Sequence, residues 1–184
     1  MPPLESVMRP LGTQMPAFDL PDQNGGGRVD SRHLAGRPVL VMFLCNHCPY
    51  VKHIREALAA LGRDLRGKPI HVVAISSNDP VSHPDDAPER MASEAHEAGY
   101  TFPYCFDASQ QVARDFDAAC TPDFFLYDAA HRLAYRGRLD GSRPRSTEPV
   151  TGSELRAAID AVLAGRAPDA TQHPSIGCSI KWRS

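Results

Sequence analysis

Apolar residues in this chain fall into runs whose period changes along the sequence. Pro38 to Leu44 is a continuous apolar stretch with β-branched and aromatic members, set off by Gly36 and Pro38. Such a run predicts a strand buried on both faces, as in a parallel sheet. After it, Val51, Ile54, Leu58, Leu61 and Leu65 recur at spacings of 3, 4, 3 and 4 and predict a helix ending near Gly67. Ile70 to Ile75 is a second apolar run, so the three elements make a strand–helix–strand crossover, parallel and right-handed. A polar loop over 76–88 then offers Asp85 or Asp86 as the N-cap of a helix that opens at Pro88 and stops at Gly99.

Further on, Phe102 to Phe106 predicts a short strand, and Ser109 to Phe116 a short helix with Val112 and Phe116 inward. Phe124–Tyr127 and Leu133–Tyr135 flank Asp128 to His131 and predict an antiparallel hairpin. A final helix, with Ser153 as N-cap, carries Leu155, Ile159, Val162 and Leu163 and ends at Gly165. Near the start, Phe18–Leu20 predicts an edge strand. Gly25–Gly27 reads as a hairpin loop rather than a phosphate cradle, because no Gly-Lys-Ser/Thr follows it. Residues 1–16 read as a proline-punctuated arm. Residues 166–184 read as an irregular tail docked on the body, with the only tryptophan, Trp182.

Length changes this picture little: 184 residues fit one domain, 1–184, with extensions. Lys plus Arg is 20 against 22 for Asp plus Glu, a net charge of -2, which removes the broad positive field of a nucleic-acid binder. The longest apolar run, Val39 to Cys45, is far short of the ~20 residues that span a bilayer. No nucleic-acid or membrane partner is therefore expected. The cysteine count is more telling. Five is odd, and Pro2, Pro3, Glu5, Arg9 and Pro10 interrupt any secretion-signal pattern, which together argue against a disulfide framework. The expectation is a cytoplasmic protein with reduced thiols, in which any disulfide is catalytic rather than structural.

Chemistry concentrates at Cys45-Asn46-His47-Cys48, where the first buried strand gives way to the first helix. A thiolate at a helix N-terminus is stabilised by unpaired N–H groups and the positive end of the dipole, which lowers a cysteine pKa from ~8.5 to roughly 3.5–7.5. Two intervening residues put the second sulfur one turn along, near enough to form a disulfide. Pro49 is tolerated in the first turn. A protonated His47 beside the attacking sulfur would stabilise the thiolate and make the couple more oxidising; the alternative is an exposed loop histidine without a role. A structural zinc half-site is the competing reading of the pair. Zinc wants four ligands, and no second Cys-x-x-Cys accompanies Cys105, Cys120 or His53. No metal and no cofactor are expected.

Three segments carry a family resemblance: Phe43 to Val51, with its Cys-x-x-Cys; Cys120-Thr121-Pro122-Asp123-Phe124-Phe125-Leu126; and Gly177-Cys178-Ser179-Ile180-Lys181-Trp182. Over residues 15–165 the chain resembles the thioredoxin fold in its redoxin (AhpC/TSA-like) elaboration, closest to a peroxiredoxin-like bacterial subgroup. The resemblance implies an α/β protein with a central mixed β-sheet flanked by helices. It implies that Cys45 is the exposed attacking sulfur and Cys48 the buried resolving one. It also implies a cis Thr121–Pro122 peptide facing them, whose preceding N–H and C=O are free to pair with an extended substrate. True peroxiredoxins have their peroxidatic cysteine at the position of Cys48, with Thr or Ser three residues earlier and Pro four before that. Here those positions hold Cys45 and Val41, and their arginine falls near Pro122. Arg136, Arg138 and Arg143 could substitute, or could be surface charges and loop anchors.

The expected function is thiol–disulfide exchange. Cys45 attacks a protein or small-molecule disulfide, Cys48 resolves the mixed disulfide, and a thioredoxin or glutathione system regenerates the pair. The alternatives are a peroxiredoxin-like antioxidant peroxidase and, from another class, a metal-binding or partner-binding scaffold. Cys105, between Tyr104 and Phe106, reads as a core thiol. Cys120 and Cys178 are either packed residues or further redox partners.

Overall fold

The structure is a computed structural model, and residues 3–183 are described. In chain order the elements are β1 (Leu4–Glu5), β2 (Asp19–Pro21), β3 (Arg28–Asp30), β4 (Val39–Phe43), α1 (Pro49–Leu65), β5 (His71–Ser76) and α2 (Pro88–Ala98). There follow β6 (Tyr104–Phe106), α3 (Gln111–Asp115), β7 (Cys120–Thr121), β8 (Asp123–Tyr127), β9 (Leu133–Gly137), α4 (Ser153–Leu163) and β10 (Ile176–Ser179).

The central sheet runs β6-β5-β4-β8-β9. β4 pairs in parallel with β5 and antiparallel with β8, so the sheet is mixed. All five β4 residues are buried, as the continuous apolar run requires. Alternation sends Leu40 and Met42 to one face, under α1, α2 and α4 with Leu58, Met91 and Leu155. Val39, Val41 and Phe43 face the other side, against Phe18, Val112 and Phe116. There Phe43, Phe116 and Phe125 meet edge-on, with ring centroids 5.4 to 5.7 Å apart. No helix among the described residues is long and apolar enough to cross a membrane.

Two expected caps differ. Ser153 is the first helical residue of α4, and the cap is Gly152 in a left-handed conformation, φ 68°. The Asp140 carboxylate holds this corner by accepting from the N–H groups of Thr151 and Gly152 at 2.7 and 2.6 Å. Neither Asp85 nor Asp86 caps α2, which starts after Ala87 without a side-chain cap.

The segment read as an irregular tail contains a strand. β10 lies between β1 and β7 in a separate three-stranded sheet, with Leu4 opposite Gly177 and Thr121 opposite Cys178. Gly177 makes this approach possible: a Cβ there would lie 1.9 Å from the Thr121 carbonyl oxygen. Past the strand, the Arg114 guanidinium lies 4.3 Å over the ring of Trp182.

Candidate active site

β4 delivers the chain to Cys45, and α1 opens at Pro49 with Cys48 as its N-cap. Proline at the first helical position loses no hydrogen bond, since the N–H groups of that turn have no partner within the helix. The cis Thr121–Pro122 peptide faces this junction. The Cys45 sulfur is 3.1 Å from Thr121 Oγ1, and the Cys48 thiol donates to the Thr121 carbonyl at 3.2 Å. β10 adds a third sulfur, with Cys178 Sγ 2.7 Å from Cys48 Sγ.

The exposures and acidities depart from what the resemblance implies. Cys45 is not an exposed sulfur: it is 1% exposed and Cys48 is 0%. With its proton removed, Cys48 accepts from the Cys45 thiol, which lowers its pKa to about 5; the Cys178 thiol and the backbone N–H groups of Val51 and Cys178 assist against burial. Cys45 moves the other way, well above the ordinary thiol value, because it donates to Cys48, is buried and lies near the Asp86 carboxylate. The thiol whose pKa is lowered is thus Cys48, at the helix N-cap. The free edge expected at Thr121 is also absent, because β10 occupies it.

His47 turns to a carboxylate. Its Nδ1 is 2.5 Å from Asp86 Oδ2, and its ring lies against His83, centroids 4.7 Å apart and tilted by 32°. Asp86 is fully buried and also accepts from the Asn46 N–H at 2.7 Å, the His47 N–H at 3.3 Å and the Asn78 amide at 2.8 Å. Burial opposes its charge, but the bonds from His47 and Asn78 prevail and hold its pKa below the usual carboxylate value. Tyr104 donates to Asn46 Oδ1 at 3.0 Å, and Asn46 donates to the Asp85 carbonyl at 2.8 Å. The Cys-x-x-Cys loop is thus fastened to the 84–86 turn. Sequence reasoning missed Asp86 and Asn78 as site residues. The available signal was their place after the C-terminal end of a parallel strand, where α/β sheets gather their sites.

Cys45, His47 and Asp86 place ligand atoms within 4.8 Å of one another, the spacing of a three-donor metal site. The Asp86 oxygens already accept four hydrogen bonds, so a metal would have to displace His47 or Asn78. Cys105 is a core thiol, its pKa pushed up to about 12 by burial. Cys120 is fully buried opposite Ser179, its pKa raised by burial and by Asp123. Arg136 is no surface charge: it is fully buried in a two-pronged pair with Asp123 and lies 3.8 Å over the Phe125 ring. Arg138 is held by Glu154, and Arg143 is exposed.

Comparison with known proteins bears on the same geometry. No curated protein matches the chain. It is similar to an uncharacterized conserved protein from Geobacillus kaustophilus, 48% identical with a TM-score of 0.96, covering 100% of this chain and 97% of that one. It is equally similar to a hypothetical protein from Sinorhizobium meliloti 1021, 48% identical with a TM-score of 0.95, covering 98% of each chain. A secreted Mycobacterium tuberculosis disulfide oxidoreductase homologous to E. coli DsbE shares the thioredoxin fold at 17% identity, with a TM-score of 0.58 over 80% of this chain and 95% of that one. The AhpC/TSA family pattern matches residues 11–136, from ahead of β2 through the Cys-x-x-Cys and the cis-proline to β9. On that match the chain belongs to the AhpC/TSA family, built on the thioredoxin fold.

Proposed function

We propose that the protein is a thiol–disulfide oxidoreductase that works through the Cys45/Cys48 pair. The observation that carries this reading is the placement of both sulfurs at the β4–α1 junction against the cis Thr121–Pro122 peptide. Cys45 Sγ is 3.1 Å from Thr121 Oγ1 and the Cys48 thiol 3.2 Å from the Thr121 carbonyl, with Cys48 the thiol whose pKa is lowered. Cys48 thiolate attacks one sulfur of a substrate disulfide and forms a mixed disulfide, and the other substrate sulfur leaves and takes up a proton. Cys45 then loses its proton, attacks Cys48 Sγ and expels the second substrate sulfur, which closes the Cys45–Cys48 disulfide. His47 is held beside the pair by Asp86. Thr121 and Pro122 back the sulfur pair, with the Thr121 edge covered by β10. An external dithiol or glutathione returns the two electrons.

This order exchanges the roles that the resemblance implies, and reduction of insulin followed by turbidity separates the two. Cys48→Ser should lose activity entirely, while Cys45→Ser should accumulate a mixed disulfide seen on non-reducing gels. The reverse pattern would restore Cys45 as the attacking sulfur, and full activity in both variants would end the reading. A second reading, peroxide reduction at Cys48, is favoured by the same acidity. Against it stand Cys45 in place of the hydroxyl residue and the engagement of Arg136 by Asp123 and Arg138 by Glu154. Fast peroxide consumption with sulfenic acid on Cys48 would select it.

A further inference from the structure

The pair accounts for two of the three clustered sulfurs. Cys178 is brought to the third position by strand register alone, since it faces Thr121 across the β7–β10 ladder and its sulfur meets Cys48 Sγ at 2.7 Å. Gly177 lets β10 come this close. The Tyr50 N–H, next to the one that serves Cys48, points at the Cys178 sulfur. Exposure separates the three: Cys45 and Cys48 are buried, and Cys178 is partly open to solvent. A reductant arriving from solution therefore meets Cys178 first.

We propose that Cys178 is a third redox thiol that takes the disulfide out of the buried pair. The inference rests on the reading that substrate oxidises Cys45 and Cys48. In the step, Cys178 sulfur attacks Cys48 Sγ; the Cys48–Cys178 bond forms and the Cys45–Cys48 bond breaks. The electron pair of the broken bond leaves on Cys45, which takes the proton that Cys178 gives up, so no outside oxidant or reductant is needed. Timing is built in. Burial, the hydrogen bond with Cys48 and the Cys48 charge all raise the Cys178 pKa, to about 12. Oxidation of Cys48 removes its charge, while Lys181 and the Tyr50 N–H, which favour the Cys178 thiolate, remain. β10 has a second effect in the same place. It fills the edge of β7 that an extended substrate would pair with, so the new disulfide locks that edge closed until a reductant opens it at Cys178.

The test oxidises the reduced full chain with bis(2-hydroxyethyl) disulfide, alkylates the remaining thiols and maps the linkages by mass spectrometry without reduction. Wild type is expected to give a Cys48–Cys178 link with Cys45 alkylated. Cys178→Ser should give the Cys45–Cys48 link instead. Gly177→Ala, whose Cβ cannot coexist with the Thr121 carbonyl, should cut the Cys48–Cys178 link at least tenfold while Cys45–Cys48 still forms. Wild type that yields only Cys45–Cys48, with Cys178 alkylated, overturns the relay and leaves the pair standing. A Cys178→Ser chain with no Cys45–Cys48 link overturns the pair and the relay with it. An undiminished Cys48–Cys178 link in Gly177→Ala overturns the role given to β10.

Discussion

Replacing Cys45 with alanine tests where the charge of the sulfur cluster resides. The Cys45 thiol is the largest influence on Cys48, whose pKa falls from an ordinary 9.0 to about 5. A hydrogen bond to a charged acceptor contributes roughly 1.5–3 kcal/mol, and one unit of pKa corresponds to about 1.4 kcal/mol. Losing that donor should therefore raise the Cys48 pKa by about one to two units. It should not return to 9.0, because the Cys178 thiol and the N–H groups of Val51 and Cys178 remain. Thiolate absorbance in the far ultraviolet, titrated on the reduced chain with Cys48→Ser as reference, reads the shift directly. Stability follows the same ionisation. Because the folded pKa is the lower one, the contribution of Cys48 is complete above 9.0, declines as pH falls and is gone below about 5. Cys45→Ala should move the lower limit of that window upward. A wild type with no thiol ionising below neutrality would refute the reasoning, as would a low step that survives in Cys48→Ser.

Three further perturbations probe the supports. Asp86→Asn places an amide N–H₂ among the donors of Asn46, His47 and Asn78, and should cost about 1–3 kcal/mol in a urea melt. It also removes a charge that keeps Cys45 protonated, so Cys45 should be alkylated at lower pH; an unchanged profile would contradict the assignment. Asp123→Ala strands the buried Arg136 guanidinium, and a loss of roughly 3–5 kcal/mol is expected by denaturant titration, with a value under about 1 counting against an ionised pair. Phe116→Ala empties the centre of the aromatic cluster and should cost about 3–5 kcal/mol without moving the Cys48 ionisation, since that cluster lies on the other face of the sheet.

The crossover of β4, α1 and β5 was legible because its signals are local: a buried strand writes a continuous apolar run, and α1 writes its face at helical spacing. The Cys-x-x-Cys could be placed at the strand–helix junction for the same reason. Asp86 was not legible as a site residue. Beside Pro84 and Pro88 it looks like a helix cap, and only the tertiary fold turns it onto His47. β10 was hidden for a similar reason. Ile-Gly-Cys-Ser has little strand propensity, and its partners β1 and β7 are far away in sequence, so no hairpin pattern announces it. The order of acidity between Cys45 and Cys48 depends first on which thiol donates to the other, then on the Cys178 thiol and Val51 N–H that serve Cys48 and the Asp86 carboxylate near Cys45, and none of these is written in the spacing.

The single proton shared by those two sulfurs also sets how a couple built on them answers to acidity. Closing a disulfide from one thiol and one thiolate releases two electrons but one proton. Above the Cys48 ionisation, its midpoint potential then falls by about 30 mV per pH unit, half the slope of an ordinary dithiol. Below about pH 5, where Cys48 regains its proton, the full slope returns. Across neutral pH, the potential of such a centre would shift only half as steeply as that of an ordinary dithiol, so its driving force toward ordinary dithiol couples would change by about 30 mV with each pH unit.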